Sequence, residues 1–287
     1  MSVQDLLPLP LAVAYLALAS ERVRAWAAER ALLCAGLFPL VWFYCATAAL
    51  WFDPFALTVV TVLGLSCVAA LRYVPKGEER LTGIDVFVWL MLFLPLDLRW
   101  VGSLWPPKVG GGYGFWAAGG TYLAILGWGA VRGLPSLGHR APKPMDLVWG
   151  TAALLGFGVI AIPAGLLLHF IKWFSLEHYT HEKALLLVPD LVLGVAYPEE
   201  VFFRGILDGG LKATLKRPAL SLILSSLAFG LMHWPREHEL RAQLAYMGFA
   251  SVAGVFYGLA YRKGGGLPAA VFCHTVVDWV WALFLHR

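Results

Sequence analysis

The chain of 287 residues is poor in charged side chains. Only 14% of its residues are Asp, Glu, Lys or Arg, whereas a typical soluble domain has about 25%. Hydrophobic residues make up 60% of the chain, which is more than a packed soluble core of this length can absorb. The composition therefore excludes a disordered chain and an ordinary soluble globule, and it predicts that lipid surrounds much of the protein.

Cysteine is also scarce, and several catalytic motifs are missing. Cys34, Cys45, Cys67 and Cys273 form no C-x-x-C pair, which argues against a zinc ribbon or a dithiol redox site. The sequence has no H-E-x-x-H, no G-x-S-x-G and no glycine-rich loop that ends in G-K-[ST]. A zincin, a serine hydrolase with a nucleophile elbow and a P-loop enzyme are therefore not expected.

The charge balance and the hydrophobic pattern predict the partners and the fold. The net charge is only +4 and no basic stripe is present, so no nucleic-acid partner is expected. Apolar runs recur along the whole chain and are continuous, not alternating, as in membrane helices and unlike barrel strands. We predict an all-α fold, a polytopic transmembrane bundle of about 8–10 helices. The protein is then a multi-pass integral protein of the cell membrane, with the lipid bilayer as a partner.

Some ionisable residues lie inside these apolar runs, where a charge costs about 2.5–3.5 kcal/mol on the insertion scale. Asp85 lies near the end of a run, where snorkelling to the interface suffices. Glu199, Glu200 and Arg204 in VAYPEEVFFRGIL are different. Glu200 and Arg204 share a helix face, and two adjacent carboxylates in a low dielectric do not both ionise easily. Arg204 can hold one carboxylate through a bidentate pair, which leaves the other for general-base catalysis. The alternative is a buried Glu–Arg ion pair that only fixes the packing of the helices.

Two further pairs follow on later apolar runs. Phe229 and His233 are four residues apart at the end of one run, and His274 and Asp278 are four apart in the middle of another. An aspartate can orient an imidazole and stabilise its protonated form. The alternatives without a catalytic role are that His233 is a histidine at the membrane interface and that His274 and Asp278 only stabilise their helix. Taken together, these residues and the glutamate pair are of the types found in a hydrolytic site or a metal site.

The three motifs E-E-x-x-x-R, F-x-x-x-H and H-x-x-x-D, in this order on successive hydrophobic helices, resemble the CPBP family. This family comprises type II CAAX prenyl endopeptidases and bacteriocin-processing or self-immunity (Abi) proteins. The resemblance covers about Ala184–Trp281. It implies that residues 184–287 are a catalytic helical core with its cavity inside the membrane, and that residues 1–183 are N-terminal transmembrane helices of unknown role.

The resemblance also implies roles for single residues. Glu199 matches the general base that activates water, Glu200 its supporting partner and Arg204 the arginine that braces the pair. His233 matches the histidine that helps to bind the water.

His274 and Asp278 match the pair that stabilises the oxyanion. The family often has Asn at the position of Asp278, and an ionised Asp can only accept hydrogen bonds. We therefore expect Asp278 to hold His274 as the oxyanion donor. The substitution weakens the case for a prenylated substrate more than the case for peptide hydrolysis.

The predicted function is an intramembrane, glutamate-dependent endopeptidase without a cofactor. It cleaves near the terminus of a membrane-bound or lipidated protein or peptide. Because Glu199 and His233 are predicted at different depths in the membrane, this mechanism requires tilted or staggered helices and a shared cavity.

Two alternatives use the same residues. In the first, Glu199, His233, His274 and Asp278 bind Zn²⁺ and leave an open position for water. In the second, the chain is not an enzyme but a membrane partner or immunity protein, or a proton-coupled transporter whose buried carboxylates relay protons.

Overall fold

The chain folds into two compact helical units, Met1–Ala141 and Pro142–Arg287. The functional division predicted after residue 183 lies inside the second unit, and as a division by role it stays a prediction. The computed structural model describes residues 9–98, 100–106, 112–171, 176, 179–234 and 239–285.

The first unit surrounds a central buried helix. Its α-helices are α1 (Leu9–Ala17), α2 (Glu21–Glu29), α3 (Ala31–Ala35), α4 (Leu37–Ala48), α5 (Pro54–Leu71), α6 (Gly83–Asp97) and α7 (Gly112–Ala124). Every residue from Phe115 to Ala124 in α7 is buried, and α1, α4, α5 and α6 all pack against this helix. The neighbours can approach closely because α7 is rich in small residues: a Cβ atom on Gly119 would lie 2.2 Å from the ring of Phe38. A helix that is hydrophobic all round is expected in such a core position.

Asp85 is buried inside the first unit and does not snorkel to the surface, contrary to the expectation from sequence. Its side chain is fully buried and forms an ion pair with Arg132, which is also buried. Trp128 Nε1 donates to Asp85 Oδ1 at 2.7 Å, and the Thr82 amide and hydroxyl both donate to Oδ2 at 2.8 Å. Asp85 lies in the first turn of α6 and was close enough to the helix end to suggest snorkelling, but its cationic partner lies 47 residues away in sequence.

The second unit consists of four apolar helices and one long, irregular helical run. The apolar helices are α8 (Pro144–Leu167), α12 (Pro218–Leu231), α13 (Leu240–Gly264) and α14 (Leu267–Val280), the last continued by π-helical turns at Trp281–Leu285. α13 contacts the other three helices, and α8 also packs on α14. Proline in the first turn of α8, α12 and α14 supports these boundaries, because proline there sacrifices no helical hydrogen bond. α13 ends at Gly264, and the next residue, Gly265, has the positive φ of 77° that commonly terminates a helix at glycine.

The long run comprises α9 (His181–Asp190), π-helical turns at Leu191–Ala196, α10 (Tyr197–Glu200), π-helical turns at Val201–Asp208 and α11 (Gly209–Leu215). Pro189 and Pro198 flank the first π segment. Since proline has no N–H to donate, it interrupts the regular ladder of hydrogen bonds and favours such irregular turns.

The predicted all-α, polytopic membrane class is confirmed. Among the described residues, five helices are long and apolar enough to cross a membrane, and two shorter apolar helices accompany them. The five are Ala31–Ala48, Pro54–Leu71, Pro144–Leu167, Leu240–Gly264 and Leu267–Leu285. Their apolar surface is only partly buried within the protein: 17% of the α8 window, for example, is buried, and lipid is the natural solvent for the rest. The chain is a multi-pass integral membrane protein.

Candidate active site

The glutamate pair lies on α10, between the two π-helical segments. π-helical turns are rare and are frequently found at functional sites. Glu200 is fully buried and the Glu199 side chain is 13% exposed. The two carboxylates therefore have different surroundings, although they are neighbours in sequence.

Glu200 forms a buried ion pair with Arg204. The distance from Arg204 Nε to Glu200 Oε2 is 3.1 Å, and both side chains are at most 1% exposed. Arg204 Nη2 donates to the Gly254 carbonyl at 3.1 Å, and the guanidinium carbon lies 4.5 Å from the centre of the Phe229 ring. A Cβ atom on Gly254 would lie 3.3 Å from Nη2 and 3.1 Å from Ser226, so glycine permits this close approach. These contacts hold Arg204 in place, as expected for an ion pair that stabilises the packing of the helices.

His274 joins both glutamates and Asp278. Its Nδ1 lies 2.8 Å from Glu200 Oε1, and because a carboxylate accepts, Nδ1–H is the donor. Its Nε2 lies 3.3 Å from Asp278 Oδ2 and 3.7 Å from Glu199 Oε2. Both ring nitrogens thus face carboxylates, an arrangement in which a doubly protonated imidazole has an acceptor for each N–H. Glu200 therefore holds the ring at Nδ1, and Asp278 lies beside Nε2, the nitrogen that would face an oxyanion.

His233 lies beside this group but makes a different hydrogen bond. Its Nδ1 is 2.8 Å from the Phe229 carbonyl, which can only accept, so Nδ1 carries the proton. In the neutral ring, Nε2 is then an acceptor. Phe229 separates the two imidazoles, with ring centres 4.8 Å from His233 and 5.7 Å from His274.

A cavity of ≈ 160 Å³ connects these side chains. His233, His274 and Asp278 all line it, whereas Glu199 is not among its lining residues. The cavity shared by Glu199 and His233 that the mechanism requires therefore stays a prediction. Apart from the hydroxyls of Tyr246 and Tyr257, the rest of the lining is apolar or aromatic. Polar groups gathered at an apolar cavity are the usual arrangement of a small-molecule or peptide site.

All six residues singled out from the sequence therefore lie in one region of the second unit. His274 lies beside Glu199, Glu200 and Asp278, and Arg204 pairs with Glu200. His233 lies on the other side of Phe229 and lines the same cavity as His274. Three carboxylates accompany one arginine, so the group has an acidic excess that a protonated His274 reduces. Such an excess is unusual for a group that only stabilises packing.

A zinc site would require Glu199, His233, His274 and Asp278 to surround one ion. In the part of the chain that the structure describes, no three or more His, Cys, Asp or Glu side chains form a group that could hold a metal ion. His274 shows why, since Nδ1 is occupied by Glu200 and Nε2 faces Asp278 and Glu199 at 3.3 and 3.7 Å. The residues present do not fit the four-ligand zinc site.

Two residues that support the site were missed by the sequence analysis. Tyr257 stacks on the His274 ring, with centres 4.4 Å apart and planes 17° apart. Gln243 is buried and donates from Nε2 to the His233 carbonyl at 3.0 Å. A signal for Tyr257 did exist, because it shares helical spacing with the small residues Ala250, Ala253 and Gly254 that form the buried face of α13.

These features define a helical membrane protein with a buried site of carboxylates, imidazoles and one guanidinium beside an apolar cavity. The family model "Type II CAAX prenyl endopeptidase Rce1-like" matches residues 181–280, and this part of the chain is similar to that family. The resemblance inferred from the three motifs is confirmed, and all six candidate residues lie within the matched segment. At the family level, the match supports a CAAX-type intramembrane endopeptidase. No curated protein and no solved structure matches the chain.

Proposed function

We propose that the protein is a glutamate-dependent intramembrane endopeptidase of the cell membrane that cleaves a membrane-bound or lipidated protein or peptide near its terminus. The observation that carries the proposal is the group around His274, with three carboxylates and an arginine, at the wall of an apolar cavity. An apolar cavity suits a substrate that arrives from lipid, and the polar side chains supply the groups that peptide hydrolysis needs.

In the first step, Glu199 acts as the general base. A water held between Glu199 and His233 attacks the peptide carbonyl carbon, and its proton passes to the Glu199 carboxylate as the new C–O bond forms. His233 can accept a hydrogen bond from this water because its Nδ1 proton is held by the Phe229 carbonyl. Glu200 does not serve as the base, since Arg204 and His274 already occupy its oxygens.

In the second step, the tetrahedral intermediate breaks down. His274 Nε2–H donates to the developing oxyanion, and Asp278 at 3.3 Å stabilises the positive imidazole ring. The proton on Glu199 then passes to the leaving nitrogen as the C–N bond breaks. The products are a carboxylic acid on one fragment and an amine on the other, and Glu199 returns to its ionised form. The acid then gives its proton to the amine, which leaves a carboxylate and an ammonium group.

Mass spectrometry of membrane-protein termini tests this proposal. Cells that express the wild-type protein are compared with cells that express Glu199→Gln at the same level. A set of new termini that requires Glu199 supports an endopeptidase and identifies its substrate. If the termini are identical and the biological phenotype persists in Glu199→Gln, the endopeptidase proposal fails and the result favours a non-enzymatic role.

Chelation tests the zinc alternative on the same reaction. Purified protein is treated exhaustively with a chelator, and its metal content and cleavage rate are measured. Cleavage that persists at an unchanged rate in metal-free protein supports the proposed mechanism. Loss on chelation and recovery with Zn²⁺ would overturn it in favour of a metalloprotease.

A further inference from the structure

One wall of the cavity lies outside the matched segment 181–280 and comes from α8. The five α8 residues that line the cavity are Leu154, Phe157, Gly158, Ala161 and Ile162. Their spacing of i, i+3, i+4, i+7 and i+8 places them on one helix face. This face carries no polar side chain, so it contributes shape and not chemistry to the site.

The opposite face of α8 has a different environment. Leu155, Val159 and Ile160 are 64%, 76% and 50% exposed, as expected for side chains in contact with lipid. α8 is therefore a partition between lipid and the cavity. Its inward face is free to vary in size without altering the catalytic side chains, which come from α10, the following π segment, the turn after α12, and α14.

The size of the cavity limits what it can hold. A cavity of about 150 Å³ lined by apolar side chains binds benzene, and the volume here is ≈ 160 Å³. This space suits one large apolar side chain and is small for several side chains together. Since His274 and Asp278 line the same cavity, a side chain seated there belongs to a residue close to the reacting peptide bond.

We propose that the inward face of α8 forms a subsite for one large apolar side chain next to the scissile bond, and that Gly158 sets the size of this subsite. The inference rests on the proposed function and adds the residue that determines specificity. Gly158 lines the cavity, and a Cβ atom there would meet only Ile162 Cδ1, at 3.9 Å. A larger residue at 158 therefore extends into the cavity without a clash with the backbone.

Two substitutions of graded size, Gly158→Ala and Gly158→Leu, test the subsite. The matched controls are Gly248→Ala and Gly248→Leu on α13, where a Cβ atom would have no neighbour within 4 Å and the residue is exposed. Both glycines lie inside helices, so the gain in helix propensity is similar at the two positions. The comparison isolates the effect of filling the cavity.

The probe is a pool of peptides with a prenylated cysteine followed by three residues, each position varied among Ala, Leu and Phe. Competition within one reaction gives the ratio of kcat/KM for large and small side chains, which is independent of the amount of folded enzyme. One methylene in an apolar pocket is worth roughly 10–200-fold in such a ratio. We expect wild type to prefer Leu or Phe over Ala at one position by at least about tenfold, Gly158→Leu to abolish this preference, and Gly158→Ala to reduce it.

An unchanged preference in Gly158→Leu overturns the subsite, as does an equal change in Gly248→Leu. If wild type cleaves no peptide in the pool, the proposed function fails for this substrate class, and selectivity is measured by binding. The same pool is then equilibrated with wild type, Gly158→Leu and Gly248→Leu in lipid nanodiscs, and the retained peptides are counted. Loss of the large-over-small preference in Gly158→Leu alone supports the subsite, and equal retention by all three proteins overturns it.

Discussion

Both units of the molecule bury charged side chains, but the two groups differ in balance and in surroundings. In the first unit, Asp85 faces one guanidinium, that of Arg132, and both of its oxygens receive further donors from Trp128 and Thr82. In the second unit, Arg204 and His274 accompany three carboxylates. The first group is a neutral pair with its acceptors satisfied, whereas the second has an acidic excess.

Burial alone does not identify a catalytic charge. Burying an ion pair is costly and is tolerated when geometry and additional hydrogen bonds are good, as they are at Asp85. A surplus of carboxylates beside a cavity needs another explanation, and general-base catalysis supplies one. Within the second group the same distinction separates Glu200, which Arg204 and His274 hold, from Glu199, which lies at the partly exposed edge.

Glu199→Gln is expected to have the largest effect and tests the catalytic side of the comparison. Gln has nearly the same shape but cannot take a proton from water. The cleavage rate should fall by about 10²–10⁴-fold, the usual contribution of a general base, while the thermal unfolding midpoint in detergent stays close to wild type. A rate within threefold of wild type contradicts the assignment of Glu199 as base.

Asp85→Asn tests the structural side. The substitution leaves the Arg132 charge buried without its partner, which typically costs about 3–5 kcal/mol. We expect a large drop in the free energy of unfolding, measured by denaturant unfolding in micelles, and a normal cleavage rate per folded molecule. The double variant Asp85→Leu, Arg132→Met removes both charges but leaves the Trp128 and Thr82 donors without their acceptor, so it should regain only part of the loss. A double variant as unstable as Asp85→Asn would show that the pair has a role beyond mutual neutralisation.

His139 gives the first unit a pH dependence of stability. The pKa of His139 is lowered to about 4, and burial is the main cause. The hydrogen bond of the ring to the Tyr15 carbonyl at 2.8 Å opposes this shift, and the nearby Arg24 guanidinium adds to it. The unfolded chain takes up a proton near pH 6.5, so between these two pKa values the unfolded state binds more protons than the folded state. Stability is therefore fully present above pH 6.5 and falls as the pH is lowered toward 4.

The expected loss between pH 6.5 and pH 5 is on the order of 1–2 kcal/mol. His139→Gln retains a donor for the Tyr15 carbonyl but does not titrate. Its unfolding midpoint should therefore change less with pH than that of wild type over this interval. Parallel pH profiles of the two proteins would exclude His139 as the source.

Much of the site could be predicted from the sequence because its residues are local pairs on helices. Glu200 and Arg204, and likewise His274 and Asp278, are four residues apart, and helical geometry alone places each pair on one face. The all-helical class followed from long apolar runs in the same way. What spacing cannot give is contact between helices, such as the Tyr257 ring on His274 or the Gly254 carbonyl at Arg204.

The same limit explains the error at Asp85. Its partner Arg132 lies 47 residues away, and no periodicity links an aspartate in the first turn of one helix to an arginine beyond the end of another. The cavity face of α8 was missed for a related reason. Its apolar spacing is visible in the sequence, but an apolar stripe that lines a cavity has the same pattern as one that packs against a helix.

Asp278→Asn is expected to have the smallest effect and tests whether the negative charge of Asp278 is needed for catalysis. Asp278 Oδ2 lies 3.3 Å from His274 Nε2, and its side chain is 30% exposed. Asn removes one negative charge but can donate a hydrogen bond directly to an oxyanion, which an ionised Asp cannot do. The loss of support for the imidazole and the gain of a donor oppose each other, so the change in kcat should stay below about tenfold, which corresponds to about 1.4 kcal/mol.

Asp208→Asn is the matched control, because Asp208 is buried and pairs with Arg262 at 2.6 and 3.1 Å in the same unit. It should lower the unfolding midpoint without altering kcat, whereas Asp278→Asn should alter kcat with little effect on the midpoint. If Asp278→Asn instead lowers kcat by as much as Glu199→Gln, the negative charge of Asp278 is essential, and His274 requires a carboxylate at Nε2 throughout the reaction. The negative charge would then be required both at the base, Glu199, and beside the oxyanion donor, His274.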